Sequence, residues 1–559
     1  MAIEILIPVI IVGLTIALAW PLSRWMKWAM DVDHPGPLRR GYEDTMRGLL
    51  GRLAHAAQGW RAYSVSLLVF NAVMFGFTYG VLWLQPRLPL NPDGKGPLEP
   101  SLAYNTIASF TSNTNLQHYS GEVAMSYFSQ LFALVWLQFV SAAVGIAALT
   151  ALCRGLAGRR EIGNFFTDLH RATFLVLLPL ALLLAVILIL LGMPMTFEGA
   201  AVARTLEVAV QTISRGPIAA MVAIKQLGTN GGGFFGPNST HPFENPGFWT
   251  NVAENLAILL IPMASIWMFG RIVGRLKHAA VIFSVMFALY AVFVTSAMIL
   301  ESEPTAAFRD LPVAADMNLE GKELRFGPTA GSLWAVSTTV TSNGSVDAMH
   351  DSLNPLTGLF PLMGMWLNVI FGGVGVGFIN MFLFIVVAVF IAGMMVGRTP
   401  EYLTKKVEAG EMKLALIALL AHPLFILGGT ALFASTSWGL STILNTGSHG
   451  LSEILYEFSS AAANNGSGFE GLGDNTLPWN VATGTVMLLA RYIPILAPLA
   501  IAGSLAAKRP TPETAGSLRT DGLMFGVILL ATVALVGALL FMPVAVLGPV
   551  AEHLSLEVR

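Results

Sequence analysis

The residues with the strongest chemical signal carry no charge. Four short stretches, Thr111-Ser112-Asn113-Thr114-Asn115, Thr229-Asn230-Gly231-Gly232-Gly233, Thr341-Ser342-Asn343-Gly344-Ser345 and Ala463-Asn464-Asn465-Gly466-Ser467, consist of Thr, Asn, Ser and Gly with a single Ala. They begin at 111, 229, 341 and 463, the spacing of a small domain rather than of a solenoid repeat. Such residues tolerate turns and left-handed backbone. None is a nucleophile of the ordinary catalytic kind, so the chemistry they offer is that of backbone oxygens. Rings of carbonyl oxygens can replace the hydration shell of a monovalent cation. Aligned by their first residues, the stretches place Gly232, Gly344 and Gly466 at the fourth position, where no β-carbon stops a carbonyl from turning inward. The first stretch has Thr114 there, either as an extra hydroxyl ligand or as a tolerated loop substitution.

Loops of this kind need a scaffold that holds them together. With 559 residues, 55% hydrophobic and 11% charged, and a mean hydropathy of +0.67, the chain is too apolar for a soluble domain. Hydropathy predicts ten spans near 3–23, 62–84, 122–152, 172–193, 250–272, 278–299, 363–397, 412–434, 482–506 and 522–549. The first has no basic stretch before it and reads as a retained span rather than a cleaved signal. Between spans 2 and 3, 4 and 5, 6 and 7, and 8 and 9 lies an apolar segment too short to cross: 100–110, 216–227, 331–340 and 450–462. Each starts at or near Gly or Pro and ends at a polar stretch, as a re-entrant helix does. The predicted fold is therefore an all-α integral membrane protein with ten transmembrane helices. Four pseudo-symmetric units of span, short helix, polar loop and span surround one pore, with one extra helix at each end. The corresponding partition is 1–61 for the first helix and its loop, 62–160, 161–277, 278–411 and 412–510 for the four units, and 511–559 for the last helix.

Non-helical backbone at membrane depth is tolerated only against protein or a water-filled cavity. The short helices would also aim their negative C-terminal ends at the loops, which favours a cation over an anion. Of the 31 Lys and Arg, 21 fall in or beside the segments after odd-numbered spans and nine on the opposite side. That bias predicts both termini and all four loops on the outer side. A net charge of −2 without a dense basic cluster gives no argument for nucleic acid. The single cysteine, Cys153, excludes an internal disulfide framework and a thiolate metal cage.

Two features belong below the loops. Arg491 stands nine residues into the ninth span, about 14 Å deep at the helical rise, where a charge must face protein or water. The expected role is a fixed positive charge that hastens cation release or stops leakage; a structural ion pair is the alternative. The seventh span would be about 52 Å long as one helix and holds Gly372, Gly373, Gly375 and Gly377. The glycines predict either a break, and so a gate, or close packing on a neighbour. A proton-coupled antiporter or intramembrane enzyme would need an acid or catalytic group at the midplane. Glu122 and Glu254 lie near span ends, and His422 has no evident acidic partner.

The stretches Thr111–Gln117, Thr229–Thr240, Thr341–Ser345 and Ala461–Phe469, together with Gly397–Tyr402, resemble the potassium-translocating A subunits (KdpA) of bacterial potassium-importing P-type ATPases, in the superfamily that includes Trk, Ktr and Hkt transporters. The resemblance covers essentially the whole chain. It implies a potassium filter at Asn113, Thr114, Asn230, Gly231, Gly232, Ser342, Asn343, Gly344, Asn464, Asn465 and Gly466. Thr111, Thr229, Thr341 and Gln117 lie beside it, and Arg491, Arg398, Gly372 and Gly373 are placed in the pore or its coupling. It further implies K+ as the transported ion, a bacterial inner-membrane location, and three partners: a P-type ATPase subunit (B), a single-span C subunit and a small F peptide. The ion would pass by an intramembrane tunnel toward the B subunit. The chain has no Gly-x-x-x-x-Gly-Lys-Ser/Thr loop and no Asp-Lys-Thr-Gly motif, so it is expected not to hydrolyse ATP itself. The alternative is a Trk- or Ktr-like transporter gated by a cytosolic regulatory subunit.

Overall fold

The computed structural model describes the chain apart from residues 1, 34, 55, 306–307, 309–316, 396, 398, 512–518 and 558–559. Among the described residues ten helices are long and apolar enough to cross a membrane. In chain order, with the shorter helices that interrupt them, they are α1 (Ala2–Met30), α2 (Trp60–Leu84), the short α3 (Pro100–Thr111), α4 (Ser129–Leu156), α5 (Phe165–Leu190), the short α6 (Ile218–Leu227), α7 (Phe248–Val273) and α8 (Leu276–Glu301). They continue with the short α9 (Gly327–Val340), α10 (Pro355–Leu367), α11 (Val376–Met395), α12 (Ala409–Ala434), the short α13 (Ser448–Ala463), α14 (Leu477–Ala507) and α15 (Leu523–Leu556). Among the described residues, sheet is confined to two small antiparallel hairpins, Ala201–Arg204 with Val210–Ile213 and Glu401–Tyr402 with Lys405–Lys406.

The expected all-α integral membrane class holds, and burial sorts the helices into two shells. In α4, α7 and α11, 78, 78 and 72% of the most apolar window is buried inside the protein, against 28% in α1, α2 and α15. A helix apolar on all sides has to face either protein or lipid. The first group makes the inner wall and the second turns its Leu and Val side chains outward.

The short helices α3, α6, α9 and α13 have 12, 10, 14 and 16 residues. Even the longest spans only about 24 Å, short of a hydrocarbon core of about 30 Å. Local chemistry sets their starts. Pro100 occupies the first turn of α3, where the Glu99 side chain accepts the Leu102 N–H, and Pro217 precedes α6. Gly327 and Pro328 open α9, four residues before the expected start, and Gly447 precedes α13 with φ 73°.

The seventh span differs from one continuous helix. Helix α10 ends at Asn368, whose φ of 47° terminates it in left-handed geometry, and α11 begins only at Val376. The connecting backbone has positive φ at Phe371, Gly372 and Gly375. A β-carbon on Gly372 would lie 2.3 Å from Gly377 Cα, and one on Gly375 would lie 2.2 Å from Gly145 O. Glycine is therefore required both to make the turn and to seat it against α4. Cys153 is buried in the last turn of α4, a free thiol near a helix end as its isolation in the sequence suggests.

Candidate functional site

The four polar loops follow the C-termini of the four short helices, and their backbones share one pattern. Positive φ recurs at alternate residues: Asn113 and Asn115, Thr229 and Gly231, Ser342 and Gly344, Asn464 and Gly466. The residue between each pair is Thr114, Asn230, Asn343 or Asn465. Each of these donates its N–H to the carbonyl five residues back, Ser109 (2.9 Å), Lys225 (2.9 Å), Thr338 (2.7 Å) and Ser460 (2.9 Å). The structural register thus aligns Asn115, Gly231, Gly344 and Gly466. Alignment by residue type instead pairs Gly232 and Thr114 with Gly344 and Gly466, and is out of step in the first two loops.

The loops touch in closed cyclic order. A β-carbon on Gly231 would lie 1.9 Å from Asn343 O, on Gly344 2.1 Å from Asn465 O, and on Gly466 2.2 Å from Thr114 O. On Gly232 it would meet the Asn115 side chain at 2.7 Å, which joins the second loop to the first. Glycine at 231, 344 and 466 therefore serves two needs, positive φ and the passage of a neighbouring carbonyl.

Side chains lace the loops from behind. Asn343 Nδ2 donates to Lys225 O (3.0 Å), Asn465 Nδ2 to Thr338 O (2.9 Å), and Asn230 Nδ2 to Asn113 Oδ1 (2.5 Å). Asn113 Nδ2 in turn donates to Thr229 O (3.0 Å). The Thr114 hydroxyl is already engaged by Ser112 (2.6 Å) and Asn464 Nδ2 (2.9 Å), so it works in this lateral brace. Gln117 clamps the first loop to the second: its Oε1 accepts the Gly233 N–H at 2.8 Å and its Nε2 donates to Gly233 O at 3.1 Å. Thr111, Thr229 and Thr341 are all buried at the helix–loop junctions.

Beneath the loops lies the interrupted span. Gly372 N donates to Val340 O (2.9 Å), Val374 N to Thr229 Oγ1 (2.9 Å) and Ser342 Oγ to Asn368 Oδ1 (2.7 Å), while Asn368 Nδ2 reaches Ala463 O (3.2 Å). A β-carbon on Gly373 would sit 3.5 Å from Ser342 Cβ. A cavity opens beside this segment, lined by Ser342, Asn368, Gly373, Asn464 and Arg491 among others. Arg491 is 4% exposed, and its Nη2 donates to Ser141 O at 3.3 Å. Among the described residues no carboxylate lies within ion-pair distance of it. Arg398 lies outside the described residues.

Sequence reasoning missed the roles of Lys225 and His118 near the loops and placed Glu254 only at a span end. Lys225, in the last turn of α6, is fully buried and ion-paired to Glu244, with Asn238 Oδ1 and Ser239 Oγ each at 2.7 Å. A lysine inside an otherwise uncharged ten-residue helix was the available signal. Glu254 of α7 is buried against Gln226 and Ser239. His118, three residues beyond the first loop, bonds Asn480 Oδ1 (2.7 Å) through Nδ1 and Glu457 Oε1 (3.1 Å) through Nε2. Burial opposes its charge, but Asp474 and Glu457 prevail and raise its pKa to about 9. His422, by contrast, bonds backbone carbonyls, Met365 O at 3.0 Å among them, as a structural histidine does.

Ten apolar helices around loops that present uncharged backbone define a polytopic all-α membrane transport protein. The chain belongs to the KdpA family, the potassium-transporting ATPase A subunits, whose family profile matches residues 9–554. It is similar to a potassium-transporting ATPase potassium-binding subunit from Geobacillus kaustophilus, with 47% identity over 549 residues, 97% of this chain and 98% of that one. Among solved structures it resembles the potassium transporter TrkH from Vibrio parahaemolyticus, with a TM-score of 0.52 and 12% identity over 89% of this chain and 98% of that one. The second likeness speaks for the fold alone, so the reading as a Trk-like transporter with a cytosolic regulator gains no support beyond shared architecture.

Proposed function

We propose that the four loops form one K+-selective ring, and that this chain binds K+ there and hands it to an ATP-hydrolysing partner. The observation that carries this reading is the cyclic packing of Gly231, Gly344 and Gly466 against the Asn343, Asn465 and Thr114 carbonyls, closed by Gly232 against Asn115. Alternation of left-handed and ordinary backbone turns successive carbonyls toward one side, and a dry ring of such oxygens substitutes for water around K+. Helix C-termini aimed at the ring add negative potential. The filter is then the backbone of Asn113, Thr114, Asn230, Gly231, Gly232, Ser342, Asn343, Gly344, Asn464, Asn465 and Gly466.

Arg491 and the Gly372–Gly373 turn form the floor, where a fixed positive charge lowers cation residence and blocks passive leakage. The chain carries no phosphate loop or phosphorylation motif. It is the transport subunit, and energy comes from a P-type B subunit, with a single-span C subunit and a small F peptide completing the complex. The Lys and Arg bias supports an orientation with the loops and both termini on the outer face, in what would be a bacterial inner membrane. Copurification from native membranes tests the assignment: an associated ATPase stimulated by K+ and not by Na+ is expected. A chain that isolates without an ATPase, or with one indifferent to K+, would refute it.

A further inference from the structure

At the Lys- and Arg-rich end of the molecule, the C-terminal turns of α1 and α7 form a cleft lined by Arg24, Lys27, Gly270, Arg271, Gly274 and Leu276. Three of these six residues are cationic and none is acidic. Arg271 is half-buried. Its guanidinium stacks 4.3 Å from the Trp20 ring centroid and its Nε donates to Ser23 Oγ at 2.9 Å. Its Nη2 is buried and has no hydrogen-bond partner among the described residues. A buried donor on a charged group that lacks an acceptor is unfavourable, so the site is incomplete as it stands. Arg24 is exposed and approaches the same ring, 5.8 Å from Trp20, which itself packs edge-on against Trp267 at 5.0 Å. Lys27 is shared with Asp33 at the mouth. Gly274 closes α7 with φ 75° and has open space where a side chain would stand, which leaves its backbone accessible.

The position decides the ligand. The cleft sits where two spans end, and the Trp20–Trp267 pair stands beside it as aromatic side chains do at a bilayer interface. Basic pockets between transmembrane helices at the cytoplasmic surface hold lipid phosphates. We infer that Arg24, Lys27 and Arg271 bind the phosphate of an anionic phospholipid headgroup, with the half-buried Arg271 guanidinium as its innermost donor group. The planar guanidinium suits two phosphate oxygens, and Gly274 lets the headgroup approach without a steric barrier. The inference uses the proposed orientation only to choose the leaflet, and is otherwise independent of the K+ ring.

The test quantifies phospholipid retained by the intact transport complex after exchange into nanodiscs of phosphatidylcholine doped with phosphatidylglycerol. Arg24→Gln and Arg271→Gln are each expected to lower retained phosphatidylglycerol about fivefold, the effect of removing one cation from a membrane-surface site. Arg47→Gln, an exposed cation on the same side of the protein, should leave it unchanged. Because Arg24 is exposed, its substitution reads binding even if Arg271→Gln weakens the packing on Trp20. Equal retention in Arg24→Gln and the parent would overturn the inference, as would an equal loss in Arg47→Gln. Displacement of the lipid by inorganic phosphate would instead make this a free-anion site and refute the lipid assignment.

Discussion

Replacing Gly344 by alanine separates the ring hypothesis from a general need for glycine in loops. The new β-carbon would stand 2.1 Å from Asn465 O, whereas ordinary contact begins at 3.4 Å. The neighbouring carbonyl must therefore retreat by about 1.3 Å, and an alanine at φ 92° adds strain of about 1–3 kcal/mol. The obstacle is backbone tied by an N–H···O bond from Asn465 to Ser460, so no flexible side chain absorbs the shift. If the energy appears as lost complementarity to dehydrated K+, the apparent K+ affinity falls about tenfold to a hundredfold and discrimination against Na+ falls with it. Gly158→Ala is the control: its φ of 89° imposes similar strain, yet nothing lies within 4 Å of the new atom. K+-stimulated ATP hydrolysis by the purified complex, titrated with K+ at fixed Na+, reads both variants. The reasoning fails if Gly344→Ala and Gly158→Ala give the same K+ titration while both remain folded.

Gly232→Ala meets Asn115 Cβ at 2.7 Å rather than a carbonyl at about 2 Å, and Gly232 lacks the positive φ of Gly231 and Gly344, so its effect on the same titration is expected to be smaller than that of Gly231→Ala or Gly344→Ala. Arg491→Gln keeps a polar side chain in the cavity but removes its charge; folding should survive, and tracer Rb+ leakage through complexes without ATP should rise, with unchanged leakage excluding a barrier role. Lys225→Met strands the buried Glu244 carboxylate and should cost about 3–5 kcal/mol, seen as a lowered Tm, with Lys225→Met combined with Glu244→Gln recovering part of the loss. If the single and double variants melt alike, the pair is not the stabilising contact. His118 has a folded pKa raised to about 9 from an ordinary 6.5, so its protonated contact with Glu457 stabilises fully below about pH 6.5 and is lost as pH rises through 9. His118→Asn should therefore remove that part of the decline in thermal stability between those pH values; a melting profile unchanged by the substitution would argue against it.

The bundle was legible because its physical signals are long and repeated: an apolar run near 20 residues has few fates, and uncharged loops between such runs are conspicuous. The loop register was not, for a physical reason. Left-handed backbone at Asn113, Thr229, Ser342 and Asn464 is held by hydrogen bonds from distant residues rather than by glycine, so residue type does not mark it. Alignment on the shared Thr consequently slipped in the first two loops. The interruption of the seventh span announced itself through Gly372, Gly373, Gly375 and Gly377, but its point of onset is set by Asn368, whose partners Ser342 and Ala463 lie in two other loops. The Lys225 site stayed hidden because its anchors, Asn238, Ser239 and Glu244, are brought to it by a turn that no periodicity encodes.

The unwound stretch at 368–375 is stitched by hydrogen bonds to Val340, Thr229, Ser342 and Ala463, which lie in or beside three of the four polar loops. If the loops are the filter proposed above, a movement that lets an ion exit downward has to loosen some of those stitches, and with them the walls that select the ion. Choosing and releasing are then two readings of one equilibrium. An occupant that tightens the ring resists its own departure, and whatever force pulls the lower stretch aside weakens the grip on the occupant by the same free energy.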